Sequence, residues 1–260
     1  MTSRTGARAR AVHRLGLAAA GAGGLIGGAY WLVMSPYSQV LGPFPYRAAS
    51  TERVVALTFD DGPNEPYTSQ IADFLDQRGV TATFFQVGRA VVRHPDVTAR
   101  LAASGHVIGH HGYAHQFSRY LRPRTLAADM QQGLDAFADL GLRPALYRPP
   151  WLLRIPALWG ISRRHRLQVI SGEFCHPLEV FQPAADRIAR HTLAKTRPGS
   201  ILIFHDGFDG RGGNRASTVD AVKIVVDRLI SRGYRFTTVD HLLDLPAYDT
   251  DPPQAGSPPR

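Results

Sequence analysis

The sequence predicts an α/β fold built on a parallel sheet, and three observations carry that expectation. Short apolar runs alternate with longer helix-patterned stretches, each interval between runs is long enough for a strand–helix crossover, and polar clusters recur where the apolar runs end. Seven runs suit either a closed barrel or an open doubly wound sheet. Both arrangements put the working loops at the C-terminal ends of the strands. With 260 residues, 44% of them hydrophobic, the chain can bury one substantial core.

Taken in order, residues 1–14 form a basic segment, with Arg4, Arg8, Arg10 and Arg14 and no acidic residue. Residues 15–34 follow without a single charge, long enough for a helix to cross about 30 Å of hydrocarbon. The arginines ahead of that run would stay cytoplasmic, which predicts a transmembrane signal-anchor with everything after Met34 outside the cytoplasm. A cleaved signal peptide, with secretion of the rest, is the alternative. Small-x-small patterns such as Ala20-Gly21-Ala22 fall inside the run, however, where cleavage would leave too short an apolar region. A buried soluble helix is disfavoured because the run has no polar face. The pairs Gly23/Gly27 and Gly24/Gly28 permit helix pairing within the membrane without requiring it.

Residues 35–50, with Pro36, Pro43 and Pro45, read as an extended stalk. The globular domain is expected over 51–245. Its candidate strands are Val54–Phe59, Ala82–Val87, His106–Gly109, Ala145–Tyr147, Leu167–Ile170, Ser200–Phe204 and Arg235–Val239. Helices are expected at 67–78, 89–104, 123–140, 154–165, 183–197 and 216–232. Residues 246–260, with five prolines, are expected to be disordered. The net charge of +9 does not point to nucleic acid. Four of those charges sit on the first segment, and the rest of the chain has no Lys/Arg run interleaved with aromatic residues.

The polar clusters at the strand ends carry the chemistry. Asp60-Asp61 follows the first strand, and two adjacent carboxylates repel each other unless a cation or a proton compensates. Asp-Gly-Pro is also a good turn sequence, so the pair gains weight only from its company. His111 and His115 lie four apart, and one helical or helix-like turn would put both imidazoles on the same side. With an upstream Asp they make a two-histidine, one-carboxylate set that leaves a coordination position open, as a catalytic metal site requires. His110 is placed behind them or in the pocket wall. Arg148-Pro149-Pro150-Trp151 is a stiff strand end from which Arg148 can hold Asp60 ionised and aligned as a base. His205 closes the strand 200–204 and can donate a proton near neutrality. Cys175 is the only cysteine, so neither an intrachain disulfide nor a cysteine cage exists. Its neighbour His176 points the other way in extended chain, which disfavours a thiol–imidazole dyad.

These residues resemble the polysaccharide deacetylases of carbohydrate esterase family four, the NodB-homology domain, over about residues 52–243. The motifs are Thr58-Phe59-Asp60-Asp61-Gly62-Pro63, His111-x-x-x-His115, Arg148-Pro149-Pro150-Trp151 and Leu202-Ile203-Phe204-His205. The resemblance implies a distorted (β/α)7-type barrel of the glycoside hydrolase/deacetylase type, with a divalent metal, usually zinc. It implies Asp60 as base, Asp61, His111 and His115 as ligands, Arg148 orienting the base, and His205 as acid. Pro150, Trp151, Phe174 and Glu173 are expected around the substrate and its oxyanion, with a backbone N–H near Trp151 as donor. One segment departs from the pattern. Residues 171–179, Ser-Gly-Glu-Phe-Cys-His-Pro-Leu-Glu, stand where the family shows an Asp-rich stretch with Trp, so Glu173 or Glu179 is expected to supply the carboxylate and Phe174 the aromatic wall. The expected reaction is metal-dependent N-deacetylation of a cell-wall polysaccharide such as peptidoglycan or a chitin-like polymer. The alternatives are an inactive polysaccharide-binding relative and a metal hydrolase of a small cyclic amide.

Overall fold

The computed structural model describes residues 24 and 27–250. Their strands form one parallel sheet: β1 (Val54–Asp60), β2 (Thr83–Gln86), β3 (Val107–His110), β4 (Leu146–Tyr147), β5 (Gln168–Val169), β6 (Glu173–Phe174), β7 (Ile201–His205) and β8 (Arg235–Thr237). The order is β5-β4-β3-β2-β1-β7-β6, with β8 beside the first residues of β1. The sheet curls without closing, because β5 and β6 are edge strands that do not pair with each other. Each is two residues long and only three residues of chain separate them, too little for a ladder between them. Of the two arrangements the sequence allowed, the distorted barrel is thus an open, curled α/β sheet.

The helices are α1 (Tyr67–Gln77), α2 (Gly88–Arg93), α3 (Pro95–Ala103), α4 (Pro123–Ala138), α5 (Leu158–Arg164), α6 (Ala185–Lys195), α7 (Ala216–Ser231) and α8 (Val239–Leu243). The helix expected over 89–104 breaks at His94, which takes φ −131° and ψ 58° before Pro95. Proline pushes the residue ahead of it out of the helical region and cannot donate to the preceding turn. Helix α5 starts later than expected because Pro156 intervenes. The last strand stops at Thr237, and Val239 opens a short helix.

All but the first residue of β1 are buried, as expected of a parallel strand covered on both faces. Phe59 stacks between Phe84 and Phe204, with ring centroids 4.8 and 6.1 Å away, and Ile71, Leu75, Val222 and Val226 from α1 and α7 complete that core. Residues 246–250, expected in the disordered tail, are docked instead. Tyr248 Oη accepts from Ile108 N at 3.0 Å, and Asp249 N donates to Arg143 O at 2.8 Å.

Of the expected membrane span 15–34, residues 15–23, 25 and 26 lie outside the described residues, as do segment 1–14 and residues 251–260. Residues 27–34 are helical, and among the described residues no helix is long and apolar enough to cross a membrane. The expected stalk is not a free linker: residues 35–46 lie on the domain. Long-range hydrogen bonds from Arg154, Ser171 and Trp159 hold it there, partners that a local reading of the sequence does not reveal.

Candidate active site

The parallel register brings the C-terminal ends of five strands to one rim. Asp60 of β1 sits opposite His205 of β7, Gln86 opposite His110, and His110 opposite Tyr147, the residue before Arg148. Immediately beyond β1 the chain turns at Asp61, whose φ of 77° is a left-handed conformation that Asp tolerates better than most residues. The turn rests on Asp206, a buried carboxylate that accepts from Gly62 N at 3.1 Å and from the Thr68 hydroxyl at 2.6 Å. Burial raises the Asp206 pKa to about 7.

Asp61, His111 and His115 converge, with one ligand atom from each lying within 4.8 Å of the others. Asp61 Oδ1 is 3.4 Å from His111 Nε2 and 3.1 Å from His115 Nε2. The far nitrogens define the tautomers. His111 Nδ1 lies 2.7 Å from the Arg148 carbonyl, a pure acceptor, so Nδ1 carries the hydrogen and Nε2 presents its lone pair. His115 Nδ1 is 2.9 Å from Asp209 Oδ1, which favours the same arrangement. Asp61 Oδ2 accepts from Asp209 N at 3.1 Å, whereas Oδ1 is buried without a hydrogen-bond donor. A buried carboxylate oxygen facing two imidazole lone pairs is unfavourable until positive charge enters between them, so the donor set fits a divalent cation. The same field acts on the His115 imidazole. Burial opposes its cation, yet Asp61 and then Asp209 prevail and bring its pKa up to about 9. Burial likewise opposes ionisation of Asp61, and the facing histidines hold it well below the ordinary value.

The four-residue spacing of the histidines does not act through a helical turn. Residues 111–116 form a loop in which Gly112 (φ 76°) and His115 (φ 47°) are left-handed. Asp129 of α4, wholly buried, organises that loop by accepting from Tyr113 N (2.8 Å), Ala114 N (3.1 Å) and Tyr120 Oη (2.6 Å). His110 stands behind the loop rather than in the pocket wall. Its Nδ1 accepts from Gly112 N at 2.8 Å, its Nε2 donates to Met130 O at 2.9 Å, and burial lowers its pKa to about 4.

Arg148, wholly buried over the Phe85 ring, donates to Asp60 Oδ1 at 2.6 Å, to Thr58 Oγ1 at 2.7 Å and to Ser171 O at 2.7 Å. Three fixed acceptors lock the guanidinium and through it the orientation of the Asp60 carboxylate. At His205, Nδ1 is 2.6 Å from Glu179 Oε2, and Glu179 also accepts from the Thr218 hydroxyl. Burial opposes a charged His205, but Glu179 outweighs it, Asp61 and Asp60 add to the effect, and the pKa rises to about 9.

Of the two glutamates considered for the divergent segment, Glu179 therefore faces the site and Glu173 does not. Glu173 Oε1 pairs with Arg47 at 2.8 Å and its Oε2 accepts from Ser200 at 2.6 Å. Successive residues of a strand point to opposite faces, so Phe174 faces the cavity, its ring parallel to His205 (6.4 Å between centroids, 7°), and Glu173 must turn away. Pro150 is also absent from the cavity wall, where Pro149, Trp151 and Leu152 stand. Trp151, at φ 54°, swings onto His115, with ring centroids 4.2 Å apart. Cys175 is buried, which raises its thiol pKa, and His176 bonds Leu178 N instead, so no thiol–imidazole dyad forms.

Asp60, Asp61, His111, His115 and His205 line one cavity of about 500 Å³. A surface cleft of about 560 Å³ between α4 and α5 holds arginines and none of these residues. Glu179, Asp209, Asp129 and Asp206 are the functional neighbours that the sequence reading passed over or left undecided. Asp209 and Asp206 had a signal, since they closely follow β7, which His205 ends. Asp129 had another, as an acid on the apolar face of α4 between Leu126 and Gly133.

An open, curled parallel sheet thus carries at its strand ends a two-histidine, one-aspartate cluster that could hold a metal ion, with Asp60 and His205 beside it in the same cavity. The chain belongs to the polysaccharide deacetylase family, hydrolases acting on carbon–nitrogen bonds other than peptide bonds, and the model of that family matches residues 47–170. It is similar to a peptidoglycan-N-acetylglucosamine deacetylase of Bacillus cereus (strain ATCC 14579), 31% identical over 203 residues that cover 78% of this chain and 93% of the relative. It is also similar to a chitooligosaccharide deacetylase of Rhizobium leguminosarum bv. trifolii, 31% identical over 198 residues covering 72% and 90%. Among solved structures, the Bc1960 peptidoglycan N-acetylglucosamine deacetylase superposes with a TM-score of 0.69 at 25% identity, over 78% of this chain and 94% of that one.

Proposed function

We propose that this protein removes acetyl groups from N-acetylglucosamine residues of a cell-wall polysaccharide, peptidoglycan or a chitin-like polymer, from a position anchored at the membrane. The observation that carries the reading is the convergence of Asp61, His111 and His115 beside the Arg148-bound Asp60 and the Glu179-bound His205. Asp61, His111 and His115 would hold a divalent cation, for which zinc suits two imidazoles and one carboxylate, and such an ion supplies Lewis acidity toward a carbonyl and lowers the pKa of water. Asp60, aligned by Arg148, accepts the proton of the attacking water. The acetamide carbon becomes tetrahedral, and a backbone N–H near Trp151 helps to hold its oxyanion. His205 then donates its proton to the departing sugar nitrogen, and acetate and a free amino sugar leave. Phe174 and Trp151 wall the cavity on either side of this chemistry. The reading as an inactive binding relative rested on the divergent segment 171–179. Glu179, one of the two glutamates expected to supply a carboxylate from that segment, lies against His205, which supports turnover.

The decisive variant is Asp60→Asn. Acetate release from N-acetylglucosamine oligomers should fall by at least about a hundredfold while metal content per chain stays at the wild-type level. Near-normal turnover in that variant would remove Asp60 as the base.

A further inference from the structure

The cavity has a wall that the deacetylase domain itself does not supply. Tyr30 and Met34 line it together with Asp60, His115 and His205, yet both precede residues 47–170, where the family model matches. They sit on helical residues 27–34, whose end is fixed by a buried cation. Arg154 donates through its guanidinium to the carbonyls of Leu32 (3.3 Å), Ser35 (2.6 Å) and Ser38, its backbone N–H donates to Val33 O at 2.9 Å, and its guanidinium lies 4.3 Å from the centre of the Phe44 ring. A helix C-terminus leaves carbonyls without partners and carries partial negative charge, so a buried arginine there both satisfies and neutralises it. Burial lowers the Arg154 pKa only to about 10, and the guanidinium stays charged at neutral pH.

The same segment reaches the catalytic base. Ser171 donates through its hydroxyl to Pro36 O (2.8 Å) and through its backbone N–H to Pro45 O (2.9 Å), while its carbonyl receives Arg148. Fixed at these points, the segment presents Tyr30 to the cavity. Tyr30 is 58% exposed at the cavity mouth, close to Met34. An accessible ring beside a site for a sugar amide suits packing against the apolar face of a pyranose.

We infer that residues 27–46 complete the substrate site, with Tyr30 and Met34 forming a subsite wall for the sugar residue adjoining the one that is deacetylated. This inference rests on the deacetylase reading, and binding and turnover test the two separately. The full chain in detergent and its Tyr30→Ala/Met34→Ala double variant are titrated calorimetrically with the dimer and the tetramer of N-acetylglucosamine, and acetate release is followed in parallel. The ratio of tetramer to dimer affinity should fall about three- to tenfold in the double variant. Tyr30→Phe, which keeps the ring, should restore most of it. Arg154→Met, at a position that does not line the cavity but holds the segment, should lower the ratio as the double variant does. A wild-type ratio in the double variant overturns the wall. Absent acetate release with oligomer binding intact overturns the deacetylase reading while the ratio still decides the wall.

Discussion

Residue by residue, the site works through pairs, and the pair least visible beforehand is His205 with Glu179. The sequence offered two glutamates in the divergent segment and no means of choosing between them. The choice depends on a strand of two residues, whose alternation sends Phe174 inward and Glu173 to Arg47. Glu179 brings the His205 pKa from its ordinary value to about 9 against the effect of burial. A group whose folded-state pKa is raised keeps its proton below that pKa and loses it above, so the acid form of His205 persists through neutrality and fails as pH rises past about 9. Glu179→Gln keeps a side chain able to meet Thr218 and His205 but removes the charge, leaving only the smaller effects of Asp61 and Asp60 to oppose burial at the imidazole. The alkaline limb of acetate release should therefore move down by about one pH unit or more, with activity best retained on the acid side. A limb that stays near its wild-type position shows that His205 is not the proton donor.

Among the elements, the loop after β3 is where local pattern and observed geometry part. The spacing of His111 and His115 suggested a helical turn, and the two imidazoles do meet, yet a loop with two left-handed residues brings them together. That loop is shaped from α4, by Asp129 on its backbone N–H groups and by His110 wedged against Gly133. A Cβ at Gly133 would lie 2.4 Å from His110 Cε1 and 2.7 Å from its Nε2, closer than packed side chains tolerate. Gly133→Ala should accordingly cost about 1–3 kcal/mol of stability. It should also loosen the grip of His110 on Gly112, weakening metal binding without touching a ligand. Thermal unfolding and a metal-affinity titration check this, and a variant that melts and binds as the wild type does would show that α4 does not set the loop. The strands were legible because buried parallel strands read as unbroken apolar runs, and the site was legible because polar residues at their ends have few other reasons to be there. The loop between them was not, because its conformation depends on side chains from α4 that are distant in sequence.

For the molecule as a whole, the open sheet leaves its strand-end rim uncovered, and the N-terminal segment closes part of it. This changes how an anchor would sit. Only Leu32, Val33 and Met34 of the helical residues are partly buried against the domain, whereas residues 27–31 are exposed. The uncharged run ahead of Leu32 is 15–31, which as a helix would measure about 26 Å, near the lower end of what a span requires. With so short a span, the domain would rest directly on the headgroups. The exposed Tyr30 and Trp31 would lie at the depth where aromatic residues collect, and the cavity mouth would meet the membrane surface. Arg4, Arg8, Arg10 and Arg14 would hold the other end in the cytoplasm. The segment's role in the cavity adds a reason for retention, because cleavage after Met34 would remove Tyr30 and Met34 from the site. The full-length chain should therefore remain in the membrane pellet after an alkaline carbonate wash and be released by detergent. Recovery of the enzyme in the soluble fraction, beginning beyond Met34 by N-terminal sequencing and fully active on oligomers, would defeat both the anchor and the wall it carries.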